Sequence, residues 1–248
     1  MRKALVVLSG GQDSTTCLFW AKQNFDDVIA ITFDYHQRHR REIEAAREVA
    51  HMAGVSHHEV ITLDSPVLKS RSPLVDPNAP LETYTDFQSM DLIIGDRIEL
   101  TFVPMRNALF LTIAANRAVC HDIKDMVTGV CQQDNANYPD CREVFIQAQE
   151  DTINHALGVV DFVIHTPLMD LSKADSVRLA MTLPGCMEAM AYTHTAYDGQ
   201  YPPTGKDHAS TLRAQGFLEA GVADPLVVRA WREGLMELPA TANYDKVS

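Results

Sequence analysis

The stretch "KALVVLSGGQDSTT", Lys3–Thr16, decides the fold. Lys3–Leu8 is a short, nearly continuous apolar run, the pattern of a β-strand buried on both faces. Ser9-Gly10-Gly11 interrupts it, and Ser14 to Asn24 reads as a helix. A strand, a Gly-Gly turn and a helix in succession point several N–H groups into one concavity. The helix N-terminus adds partial positive charge to it. The hydroxyls of Ser9, Ser14 and Thr15 supply further donors. The result is an anion cradle built largely without cations. It is not G-x-x-x-x-G-K-[ST], because no lysine follows, and it is not G-x-G-x-x-G. Gly-Gly alone describes an ordinary strand–turn–helix. Ser-Gly-Gly-x-Asp-Ser directly after a first apolar strand is much more specific.

The same alternation continues outward. Val28–Phe33 is a second buried strand, Arg40–Ala53 a helix stopped by Gly54, and His57–Leu63 a third strand. Arg106–Val119 is apolar nearly all round, so it reads as a buried helix. Asp125–Val130 and Phe162–Leu168 are strands, Arg142–Ala156 is a helix, and Ser172–Leu183 is a helix with Ser172 as its N-cap. This order predicts an α/β fold: a doubly wound, mostly parallel sheet with helices on both faces and its ligand beyond the carboxyl ends of the strands. Residues 1–183 are expected to form this layered α/β domain. Within it, the Pro-, Ser- and Asp-rich stretch 64–95 reads as an insertion or lid. Residues 184–248 form a small C-terminal helical and loop appendage.

Composition narrows the functional classes. With 248 residues, 46% of them hydrophobic, the chain can bury one sizeable core plus a small appendage. A net charge of -12 makes a poor platform for phosphate backbones, so no direct nucleic-acid partner is expected. "HQRHRR", His36–Arg41, is the one basic cluster. The five cysteines are odd in number and form no C-x-x-C, which fits free thiols in a reducing compartment. The opening "MRKALVVLSGG" mimics a signal peptide, but its apolar run is too short and ends in Ser-Gly-Gly. No run reaches transmembrane length, and a soluble cytoplasmic protein with no membrane partner is expected.

The loop Ser9–Ser14 resembles the pyrophosphate loop of the ATP pyrophosphatase superfamily, the adenine nucleotide α-hydrolases. That resemblance implies cleavage of ATP to AMP and pyrophosphate with adenylation of a carboxyl or carbonyl oxygen. Four further stretches narrow it: "TFDYHQRHRREI" (Thr32–Ile43), "TFVPMRNALFL" (Thr101–Leu111), "TGVCQQDNANYPDCREVFI" (Thr128–Ile146) and "TPLMDLSKAD" (Thr166–Asp175). In order, and over most of the chain, they resemble the 7-cyano-7-deazaguanine synthase family. The resemblance implies conversion of 7-carboxy-7-deazaguanine and ammonia to the 7-cyano base with ATP and Mg²⁺, by a homodimer. Adenylation makes AMP the leaving group, ammonia gives an amide, and a second activation and elimination gives the nitrile. The protein's part is positioning and charge neutralisation. Two alternatives stay open: a variant that stops at 7-amido-7-deazaguanine, and a catalytically silent nucleotide-binding module.

The resemblance implies roles for particular residues. Ser9, Gly10, Gly11, Gln12, Asp13, Ser14, Thr15, Thr16 and Gly129 hold the ATP phosphates. Asp13 also orders the loop or faces Mg²⁺, with helix capping as its plain alternative. Arg106 and Lys173 contact phosphate or developing charge, with a surface salt bridge as theirs. Arg38, Asn107, Asp134, Tyr138 and Asp140 meet the substrate, a carboxylate accepting from a guanine-like edge and Tyr138 stacking on the ring. Arg40 and Arg41 read as a solvated helix face. Cys131 and Cys141 are not needed as nucleophiles, because the nucleophiles are a carboxylate and ammonia.

Two stretches depart from the family. Met105 stands where a glycine is usual, and is expected to reshape the pocket. The second is "THTAYDGQYPPTGKDHASTLRAQGF", Thr193–Phe217. There the family carries four zinc-binding cysteines, and this chain has Ala196, Thr204, Asp207 and Ser210. One carboxylate does not replace four thiolates, and His194 and His208 are the only imidazoles nearby. The loop is expected to hold no zinc and to be kept in place by Pro202–Pro203, side-chain hydrogen bonds and the packing of Leu212 and Phe217.

Overall fold

The computed structural model describes residues 1–38, 40–64, 67–132 and 137–247. Five strands, β1 (Lys3–Val7), β2 (Asp27–Asp34), β3 (His57–Thr62), β4 (Asp125–Val127) and β5 (Val163–His165), form one sheet in the order β3-β2-β1-β4-β5. Every pairing is parallel. The α-helices are α1 (Gln12–Asn24), α2 (Arg41–Ala53), α3 (Phe87–Ile94), α4 (Arg106–Cys120), α5 (Glu143–Leu157), α6 (Lys173–Thr182), α7 (Cys186–Met190), α8 (His208–Ala220) and α9 (Pro225–Arg232). The predicted α/β class, with a parallel sheet covered on both faces, is what forms.

The apolar run of β1 explains why it is central. Ala4 and Val6 join Cys17, Leu18, Ala46 and Val49 on the face covered by α1 and α2. Leu5 joins Leu111, Ala114, Ile146 and Ile153 on the face covered by α4 and α5. A strand with two buried faces has no room for alternation with polar residues. Cys186, Ala189 and Met190 of α7 lie in the same cluster as α1, so the core of the main layer extends past residue 183.

Strand order reverses between β1 and β4, with β2 and β3 running out on one side and β5 on the other. That reversal opens a crevice at the carboxyl ends of the two strands. Stretch 64–95 carries a helix that its weak periodicity did not predict. α3 starts at a capping box, with the Asp86 side chain accepting from Ser89 N at 2.8 Å. Met90 and Ile94 pack with Tyr84 on Leu212 of α8, so this stretch is docked on the C-terminal segment. Among the described residues no helix is long and apolar enough to cross a membrane.

Candidate active site

A cavity of about 340 Å³ lies at the crevice, walled by the ends of β1 (Val7) and β2 (Phe33) and by residues following β4 (Thr128–Gln132). The glycine loop forms its floor. Gly10 adopts φ +87°, and a Cβ there would lie 2.7 Å from Ala46 N of α2. Gly129 answers from the other side: a Cβ there would come within 3.0 Å of Asp13 C and Ser14 N. These two absences of side chain let the loop, α2 and the end of β4 close on one another. Inside the loop, Ser14 Oγ accepts from Ser9 N at 3.1 Å and lies 3.0 Å from Ser9 Oγ. Gln12 lines the cavity, and its Nε2 is buried with no hydrogen-bond partner among the described residues. An orphan donor beside N–H groups at a helix N-terminus fits a polyphosphate.

Thr15 and Thr16 differ from expectation. Both are fully buried, Thr15 Oγ1 donates to Gly11 O at 2.8 Å and Thr16 Oγ1 to Gln12 O at 3.1 Å, and neither lines the cavity. Their side chains brace the first turn of α1 and do not face the cavity. The reason is helical geometry: only the Gln12–Ser14 edge of that turn faces the crevice.

Lys173, the first residue of α6, donates to Asp13 Oδ1 and Oδ2 at 3.1 and 2.9 Å, and both residues line the cavity. Asp13 is thus tied to a cation in the site; the N-cap of α1, Gly11, receives no side-chain cap. Gly216 of α8 packs against this lysine: a Cβ at 216 would lie 3.1 Å from Lys173 Cβ and would run into Cγ.

The other half of the cavity is aromatic. Phe33 and Phe110 stack with centroids 4.2 Å apart, Tyr35 meets Phe110 edge-on at 5.2 Å, and Arg106 Nη1 donates to Tyr35 Oη at 3.3 Å. Tyr138 lines the cavity while its hydroxyl bonds Glu99 Oε2 at 3.1 Å and Thr101 Oγ1. Arg38 also lines it, with Nη1 donating to the carbonyls of Ala79 at 3.1 Å and Pro73 at 3.4 Å. Asn107 lines it and donates from Nδ2 to Asp140 O at 3.0 Å.

Asp140 does not line the cavity. Its Oδ2 accepts from Asn107 N at 3.3 Å, so it anchors the start of α4. Asp134 lies outside the described residues. Met105 caps α4 in the left-handed region, φ +64°, a conformation that favours glycine and costs a side-chain-bearing residue roughly 1–2 kcal/mol. Its side chain is 69% exposed and is not part of the cavity wall, so the expected reshaping of the pocket is not what this residue does. Arg40 is largely exposed, as its reading as a solvated residue expects, and it also pairs with the buried Asp34.

Some cavity residues escaped sequence reasoning. Tyr35 follows the end of β2, where a ligand-facing residue belongs, and that position was its signal. Glu42, in the first turn of α2, faces the cavity; burial raises its pKa to about 7, against the pull of Arg106 and with a push from Asp207. His208, at the start of α8, is lowered to about 4 by burial and by Lys173, and its Nε2 is buried without a partner among the described residues.

His194, Thr195, Tyr197 and His208 bring the stretch Thr193–Phe217 into the cavity wall. At the four positions where the family has cysteines, the donors do not fit tetrahedral zinc. Ala196 has none. Thr204 Oγ1 donates to Asp198 Oδ2 at 3.2 Å. Asp207 caps α8, accepting from Ser210 N at 3.1 Å and from Ser210 Oγ at 2.6 Å, so two of the four positions bond to each other. Arg213, fully buried, forks onto Asp224 at 2.7 and 2.8 Å and reaches Thr193 and Thr195 at 2.7 and 2.9 Å. His194 N then donates to Gly10 O at 2.9 Å, tying the stretch to the phosphate loop. Leu212 and Phe217 are buried as expected.

A parallel sheet with a lysine-free glycine loop at its switch point marks the chain as an α/β nucleotide-binding protein of the ATP pyrophosphatase kind. The family described as queuosine biosynthesis protein QueC matches residues 3–221, and the chain belongs to that family. It is 48% identical over 230 residues to a 7-cyano-7-deazaguanine synthase of Gloeobacter violaceus, covering 91% of this chain and 96% of that one. It is 49% identical over 227 residues to the synthase of the same name from Laribacter hongkongensis, covering 91% and 94%. Among solved structures, a 4-thiouridine synthetase–RNA complex with bound ATP is similar at a TM-score of 0.48 and 16% identity, over 87% of this chain and 50% of that one.

Proposed function

We propose that the chain is a 7-cyano-7-deazaguanine synthase, converting 7-carboxy-7-deazaguanine and ammonia to the nitrile at the expense of ATP. The observation that carries this reading is that one cavity wall joins the glycine loop to an aromatic, arginine-bearing pocket. ATP, when bound, supplies the leaving group that a bare carboxylate lacks. The loop N–H groups, Ser9, Gln12 and Ser14 hold its phosphates, and Lys173, oriented by Asp13, neutralises charge there. Mg²⁺ accompanies the nucleotide. Tyr35, Phe110 and Tyr138 wall the flat base and keep water from the activated carbonyl, while Arg106 balances negative charge developing on its oxygen.

The amide-stopping alternative rests on Met105 and on the missing zinc cysteines; Met105 and the residues at the four cysteine positions, Ala196, Thr204, Asp207 and Ser210, all lie outside the cavity wall. Mass spectrometry of the product from carboxy-base, ammonia and excess ATP tests the reading. The nitrile is expected, and amide alone after prolonged incubation would refute it. Release of AMP and pyrophosphate that depends on the carboxy-base separates both from a silent module.

The same proposal includes a cytoplasmic protein that holds no zinc in the Thr193–Phe217 loop. It also includes a homodimer. Leu92 and Ile93 of α3, with Ile98, Leu100 and Met105 close after them, are exposed large apolar side chains in one stretch of chain, which supports a self-association surface. Sedimentation of the full chain as a monomer at micromolar concentration would remove that part.

A further inference from the structure

We propose that His57, Glu59 and His121 form a transition-metal site at the end of the sheet opposite the cavity. β3 is an edge strand, and His57 and Glu59, two residues apart, project from the same face of it. His121 takes the C-cap of α4, its N–H donating to the carbonyls of Ala118 and Val119. One ligand atom from each of the three residues lies within 4.8 Å of the other two. The rings of His57 and His121 are 5.5 Å apart. A second observation points to a ligand: His121 Nε2 is buried and has no hydrogen-bond partner among the described residues. An imidazole nitrogen enclosed beside another imidazole and a carboxylate is satisfied by a metal ion and left unsatisfied without one.

The carboxylate is already aimed. Arg117, one turn before His121 on α4, donates from Nε to Glu59 Oε2 at 2.9 Å. A metal ligand held by an outer hydrogen bond of this kind keeps its orientation and affinity. Two imidazoles and one carboxylate select Zn²⁺ and its neighbours Co²⁺, Ni²⁺ and Cu²⁺ over Mg²⁺ and Ca²⁺, and leave a fourth position for water.

The site is separate from both the cavity and the cysteine-free loop. α4 has 15 residues, so its C-cap is about 22 Å from Arg106 and Asn107 at its start. The ion would clamp the edge strand to α4 and take no part in the chemistry. Having three protein ligands and an exposed histidine, the site gives its metal up to a chelator.

The test is zinc titration of the chelator-treated full chain in competition with a metallochromic indicator at slightly above neutral pH. One zinc per chain is expected, unaffected by millimolar magnesium. His121→Asn and His57→Asn each remove a ligand and should weaken it by at least about 100-fold, since even an outer hydrogen-bond partner of a ligand is worth about 10–100-fold. Melting temperature should rise by about 5 °C at a hundredfold excess over the parent's Kd in the parent, and by about 1 °C or less in the variants at the same zinc concentration. Both variants should melt like the metal-free parent, which shows that they fold. Absence of saturable binding at micromolar zinc, or binding unchanged in both variants, would overturn the proposal. An equal response to magnesium would do the same.

Discussion

Replacing Arg213 by methionine removes five hydrogen bonds: two to Asp224, one each to Thr193 and Thr195, and one to the carbonyl of Met190. Methionine keeps much of the length and loses the charge, so the test isolates the ion pair from packing. Both partners are almost fully buried. Breaking such a pair by removing one member costs about 3–5 kcal/mol, because the other charge is stranded. Among the described residues the Asp224 carboxylate keeps one bond, from Leu226 N at 2.9 Å, which sets the cost nearer about 3 kcal/mol. In a chain of this size that lowers the melting temperature by roughly 6–12 °C. Thermal and urea unfolding read it directly, and adding Asp224→Asn should return part of the loss. The same variant should raise KM for ATP, since Thr193 and Thr195 flank the residue whose N–H holds Gly10. A loss under about 1 kcal/mol with KM unchanged would refute the view that this arginine organises the cysteine-free loop.

Gly129→Ala places a methyl group 3.0 Å from the backbone of Asp13 and Ser14; overpacking of about 1–3 kcal/mol should appear as weaker ATP use in initial rates, with product mass unchanged. Lys173→Met should cut AMP release roughly 10²–10³-fold without altering far-UV circular dichroism; activity within a factor of two would remove the lysine from the charge-stabilising role. Glu42 has a folded pKa of about 7 against an ordinary 4.5, so the native state holds a proton that the unfolded chain releases between those values. Its contribution to stability therefore falls as pH rises through that window and is flat above it. Glu42→Gln should be stabilising at about pH 8 relative to its effect at about pH 5, and an equal change in melting temperature at both would contradict the burial of that carboxylate.

The sheet is legible because its inner strands are apolar runs, whereas the edge strand β3 has no fully buried residue and reads from its β-branched residues Val60, Ile61 and Thr62. β4 and β5 are shorter than their runs, three residues each. After Val127 the chain leaves the sheet so that Gly129 can pack on the loop. After His165 it meets Thr166-Pro167, and proline has no N–H for a ladder. α3 was not legible, since eight residues between Asp-, Ser- and Gly-rich flanks show little more than a cap. The glycine loop could be read because its residues are contiguous. Glu42, Tyr197 and His208 could not, because the cavity is assembled from distant parts of the chain: Asp13 and Lys173 are 160 residues apart. Backbone conformation was equally hidden. Nothing local to Met105 announces a left-handed φ, and with it an outward-facing side chain.

The bond from His194 N to Gly10 O has a consequence for how the protein is made. The phosphate loop leaves the ribosome well before the segment that backs it, because Gly10 precedes His194 in the chain. A growing chain can lay down β1, β2 and β4 in turn, yet the loop they carry lacks its rear support until His194 has been made. The working shape of the loop is therefore a late event of folding, set by the arrival of that segment.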